Sequence, residues 1–147
     1  MIEITIFKEM MEENKDRLPL LTLDDFFKGN TVEDSIAPNQ WECGRPTLSE
    51  IWELLIKIES MHEVAWVRVA LHDDTYIEEE NGEEILLLAG EAIVVCTTIS
   101  PEKLEEIVNC DWLCSDGVIE IDDYELKDYS NVPEIPKGFN CLEIVWD

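Results

Sequence analysis

The stretch "HDDTYIEEENGEEILLL", residues 72 to 88, places seven carboxylates behind one histidine: Asp73, Asp74, Glu78, Glu79, Glu80, Glu83 and Glu84. Clustered carboxylates do acid–base work only where two environments push their proton affinities apart. Here the Asn81-Gly82 pair among them marks a solvated hairpin tip. Oxygen-rich loops also take hard cations, but the spacing lacks the fixed glycine and terminal bidentate glutamate of a calcium loop. Cys110 and Cys114 stand one helical turn apart, and His62, His72 or Cys141 could complete a thiolate site. No second close-spaced Cys/His pair accompanies them, so they read as buried thiols. Neither His62 nor His72 has a Ser or Cys partner in a nucleophile motif, and "AGEA", "DGVI" and "KGFN" each hold a single glycine, too few to cradle phosphate. The expectation is a chain with no catalytic residue, no metal and no cofactor.

What remains is a surface. The 147 residues carry 35 acids against 10 bases, a formal charge of −25, yet 46% are apolar and arranged in periodic blocks, which argues for a folded chain. Such a charge opposes compaction unless it serves solubility or a cationic partner. Nucleic acid and anionic membranes are excluded as partners because the ten Lys and Arg residues are scattered. Aromatic residues among carboxylates suit a protein interface, where rings supply contact area and charges steer a basic partner. The residues assigned to that face are Asp73, Asp74, Glu78, Glu79, Glu80, Asp122, Asp123 and Tyr124, with Trp41 as an anchor. The alternative is a small-ligand or enzymatic domain using an open sheet face, with Trp41, Trp66, His62 or His72 lining a pocket. A third reading has the chain self-associating through "CLEIVWD" as an edge strand.

These residues need elements to hold them. "TLSEIWELLIKIESM" is the clearest helix, opened by a Thr47/Glu50 capping box, and "SPEKLEEIVNCDWL" starts on Ser100 and Pro101. Thr22 caps a shorter helical turn that buries Leu23, Phe26 and Phe27. "EVAWVRVALHDD" and "EILLLAGEAIVVCTT" read as strands, the second bent or bulged at Gly90, and "GVIEID" and "CLEIVWD" as two more. The N-terminus stays open between a strand on Ile2, Ile4 and Ile6 and a short helix over "TIFKEMMEENKDRL". With "SIAPNQW" as an initial strand, the order becomes βαββαβ plus a C-terminal strand. That predicts an α+β ferredoxin-like open-faced sandwich, two main helices on one face of a mostly antiparallel sheet. One domain, 1–147, is expected, with residues 1–20 as an extension. The absence of a basic, apolar leader and of a long apolar run places it in the cytoplasm, and a monomer is expected.

Within "LPLLTLDDFFKGNTVEDSIAPNQ", the residues Leu23, Phe26, Phe27, Gly29, Asn30, Ser35, Ile36, Ala37 and Asn39 trace "L-x-x-F-F-x-G-N" leading into "S-I-A/G-x-N". This resembles small acidic bacterial immunity proteins of contact-dependent inhibition and other polymorphic toxin systems, over residues 18 to about 110. The chain departs from that pattern in its segment before Leu18 and in "NQWECGRPTLSE", where those proteins carry a simpler His-Pro start to the helix. The resemblance implies a stoichiometric inhibitor of a cognate basic toxin domain, a nuclease, with carboxylates standing where phosphates would lie.

Overall fold

The computed structural model describes residues 1–42 and 44–146. The helices are α1 (Ile4–Glu13), α2 (Leu23–Phe27), α3 (Pro38–Trp41), α4 (Leu48–Glu59) and, later, α5 (Pro101–Val108), of which α1, α2, α4 and α5 place buried side chains in one core cluster. The strands are β1 (Val64–Leu71), β2 (Tyr76–Glu80), β3 (Glu83–Leu87), β4 (Gly90–Thr97), β5 (Gly117–Ile121) and β6 (Asn140–Val145), with α6 (Cys110–Leu113) and α7 (Asp123–Leu126) on either side of β5. Local chemistry sets the helix starts. Thr22 accepts from Asp25 N, Thr47 and Glu50 form the reciprocal capping box, and Ser100 accepts from Lys103 N one residue before Pro101. The expected single helix over 100–113 instead breaks at Asn109, whose left-handed backbone caps α6 through its own side chain.

The fold is a mixed α+β arrangement whose main sheet is antiparallel in the order β1-β4-β6-β5, with several helices on one face. Side chains alternate cleanly. Val67, Val69, Ile93, Val95, Leu142 and Ile144 meet Phe7, Phe26, Ile51, Leu55 and Leu104 from the helices, while Trp66, Ala70, Ala92, Val94, Cys96 and Cys141 face the other way.

Three expectations are corrected here. The second sheet face is not open, because residues 122–139 cross it as a strap and pack Leu126, Tyr129, Val132, Ile135 and Phe139 against it. "SIAPNQW" supplies no initial strand. Its backbone pairs only once, Ile36 with Gly90, and then turns through left-handed Ala37 into α3, because Pro38 lacks the N–H a strand would need. The order is therefore not βαββαβ, and the helical layer includes the ten-residue α1, which resolves the open N-terminal choice as a helix. Finally, β6 lies between β4 and β5 and is no edge strand.

The true edges are blunted. Leu21 and Val69 exchange both backbone hydrogen bonds at 3.0 and 2.8 Å, and Glu59 accepts Val67 N–H at 3.2 Å along β1. On the far side Glu105 accepts Val118 N–H of β5 at 3.2 Å.

Gly90 marks the point where the hairpin β2–β3 leaves the sheet, with the register slipping between Ala70 and Leu71. A Cβ there would approach Ile36 Cγ1 and Phe26 Cζ at 3.1 Å. Gly90→Ala is expected to destabilise by about 1–3 kcal/mol, read as a lower urea midpoint with an unchanged slope.

Candidate acidic interface

The hairpin and its base carry seven of the chain's 35 acids, and the turn geometry is set by two residues. Asn81 and Gly82 both take positive φ, 52° and 80°, the turn whose twist matches its strands. Its base is stapled by His72 N to Ala89 O at 2.8 Å and by the Thr75 hydroxyl, which accepts from Ala89 N at 3.0 Å. The register pairs Tyr76 with Leu87, Ile77 with Leu86, Glu78 with Ile85, Glu79 with Glu84, and Glu80 with Glu83. Ile77 and Leu86 turn inward to the helical core, and Lys8 of α1 pairs with Glu84. The outward face shows Tyr76, 53% exposed, with Ile85 and Leu87, beside Glu78, Glu80 and Glu83. Two like-charge pairs thus stand directly across the ladder, an arrangement that works against the hairpin.

The residues assigned to one face fall into three places. Glu78, Glu79 and Glu80 lie on β2, and Asp73 and Asp74 lie at the hairpin base, where Asp74 N donates to His72 Nδ1 at 3.0 Å. Asp122, Asp123 and Tyr124 sit beyond Ile121, at the opposite end of the sheet. The rung Ala70–Ala92–Val145–Gly117 and the rung Trp66–Cys96–Cys141–Ile121 are four residues apart, about 13 Å along the strands. Asp122 is also occupied, since it accepts Glu125 N at 2.8 Å as the cap of α7, whereas Tyr124 is 78% exposed. With Glu120, Glu125 and Cys141, the two aspartates line an open groove of about 740 Å³. Trp41 belongs to α3, whose Gln40 lines a groove with His72 and Asp74, and its ring lies 4.8 Å from the guanidinium of the buried Arg45. The pocket residues of the alternative reading do not converge either. Trp66 lies under the strap and donates to Glu134 O at 3.0 Å, and His72 lines a different groove from Trp66.

Three features carried little sequence signal. Glu143 lies on the strap side of β6, opposite Val94 and Ile119, and burial, then Glu91 and Glu125, hold its proton affinity above the ordinary carboxylate range. Tyr129 is raised by burial and then by the same Glu91, to which its hydroxyl donates at 3.5 Å. Cys96 and Cys141 face each other across β4 and β6. Burial lifts both, Cys141 to about 12, so these thiols are protonated near neutrality and are poor nucleophiles. Cys110 is likewise raised by burial, and no group of three metal-ligating side chains is found among the described residues. An alternation of Cys-x-Glu along β6 was the one visible hint that Glu143 shares a face with Cys141.

Comparison with known sequences places almost all of these elements in one family. The chain belongs to the Uncharacterized protein YfbO family, whose profile matches residues 2–144. Searches among curated proteins and among solved structures each found no match. The matched span contains the hairpin, the strap and both halves of the sheet. No helix among the described residues is long and apolar enough to cross a membrane.

Because the folded chain holds the Glu143 proton more tightly than the unfolded chain, its contribution favours folding at acid pH and is lost as pH rises through the raised value. Glu143→Gln is expected to melt higher than the parent at pH 7 and to gain less on going to pH 5, measured by thermal unfolding at both.

Proposed function

We propose that this chain is an immunity protein that binds and neutralises a cognate basic toxin domain, a nuclease, without performing a reaction. The observation that carries the reading is the hairpin. Five glutamates, two pairs of them directly opposed, project from the sheet, and among the described residues Lys8 is the one cation paired with them, through Glu84. Charge that opposes its own scaffold is relieved when a cationic surface arrives, which converts intramolecular repulsion into association free energy. The exposed Tyr76 and Ile85, with the half-buried Leu87, supply apolar contact area within the same patch. The resemblance of residues 18 to about 110 to immunity proteins supports the same assignment, and a cytoplasmic site of action goes with it.

The small-ligand alternative keeps one observation in its favour, the groove between Ile121 and Phe139, lined by Glu120, Asp122, Asp123 and Glu125 with Lys137 as its base. Its acids suit a small cation, but the neutral Cys141 thiol gives it no nucleophile.

Glu78→Lys with Glu80→Lys and Glu83→Lys is expected to slow association with the toxin domain encoded beside this gene by ~10–100-fold at low salt. It should also flatten the salt dependence of the rate. Asp123→Lys at the far end should change the rate far less. Stopped-flow binding reads both, and co-expression of the parent chain should restore growth in cells making the toxin. Rates insensitive to salt and to the triple reversal would refute the reading.

A further inference from the structure

We infer that the outer edge of β2 is a docking site for an extended basic segment, which joins the hairpin as a third strand. This rests on the acidic-binding reading above and specifies how the partner engages.

In a hairpin closed by a two-residue turn, Glu80 and Glu83 exchange ladder bonds. Alternation then turns the N–H and C=O groups of Ile77 and Glu79 outward on β2. Among the described residues, no protein group bonds these backbone atoms. That contrasts with the main sheet, where Leu21, Glu59 and Glu105 meet the outward groups of Val69, Val67 and Val118. The same chain therefore covers the edges of one sheet and leaves the β2 edge bare.

Charge selects the occupant. A second copy pairing antiparallel about Glu78 would set Glu78 against Glu78 and add to the repulsion already present, in a chain of charge −25. A cationic strand gains from the same residues. Added antiparallel, it would pass Glu80, Glu79 and Glu78 first and then Ile77 and Tyr76, so its side chains should run from three basic residues to two apolar ones. The aromatic and aliphatic end has surface to cover, since Tyr76 and Ile85 are exposed. Backbone bonds then give affinity and the charge ladder gives register and direction.

The test uses the full chain and a capped peptide, Lys-Arg-Lys-Val-Tyr, followed by amide NMR. The Ile77 and Glu79 amides are expected to shift and become protected from exchange by at least ~10-fold. N-methylation of the second and fourth peptide residues, which removes the donors aimed at β2 but keeps every charge, should abolish that protection. Glu79→Pro removes an outward N–H where an edge strand tolerates proline and should weaken binding ~10-fold, against ~2–3-fold for Glu79→Gln, which removes only the charge. Equal losses in the two variants, or undiminished binding of the methylated peptide, would overturn strand addition while leaving the acidic surface as a charge contact. If the peptide and the toxin domain both fail to bind the parent chain at low salt, both inferences fall. Should Glu79→Pro lose the hairpin by circular dichroism, the methylated peptide decides alone.

Discussion

β4 and β6 are covered on both faces, and a strand with no wet side leaves few places for charge except beyond its ends. From Ala92 to Thr97 every residue of β4 is buried, and the helices and the strap press on it from opposite directions. A chain with 35 acids must therefore export them to helix surfaces, turns and excursions. The hairpin is the largest such excursion, and Gly90 is the hinge that permits it, being small enough to pass between Ile36 and Phe26. Glu143 is the exception that measures the constraint. Its proton affinity rises because the strap leaves its carboxylate half dry beside Glu91 and Glu125.

The parts legible in the sequence were those with local chemistry. Thr22, Thr47 and Ser100 cap helices because a side-chain oxygen within three residues is sufficient signal, and Asn81-Gly82 turns because both positions demand positive φ. The strap was illegible for the opposite reason. Residues 126–139 turn Leu126, Tyr129, Val132, Ile135 and Phe139 to the sheet at steps of three, three, three and four, a helix-like spacing that Pro133, Pro136 and Gly138 forbid from forming a helix, so only the sheet below defines their common side. The helix α1 stood ambiguous because Ile2, Ile4 and Ile6 alternate while Phe7, Met10 and Met11 recur by turns, and tertiary packing of Phe7 decides between them. The candidate site was half legible. The turn and its carboxylates were readable locally, but sequence proximity to Asp and Tyr could not reveal that Asp122 is committed to a cap or that it lies a sheet-length from the hairpin.

That separation determines what the charge can do. At physiological ionic strength fields decay over ~8 Å, and the two acidic ends are farther apart than that even along the strands alone. They act as separate surfaces at close range and sum only in the long-range field that guides encounter. Within the hairpin the situation reverses. Glu78, Glu79, Glu80, Glu83 and Glu84 sit on adjacent rungs of a two-stranded ladder, well inside one screening length. A cation placed among them interacts with the group, whereas one placed near Asp123 meets grooves that Lys127 and Lys137 also line. In the proposed interface, the capacity of the hairpin to bind a cation follows from the weakness it imposes on itself. Its opposed glutamates lower the stability of the two-stranded form, so whatever neutralises them both binds and rigidifies it, and the free-energy change of each appears in the other.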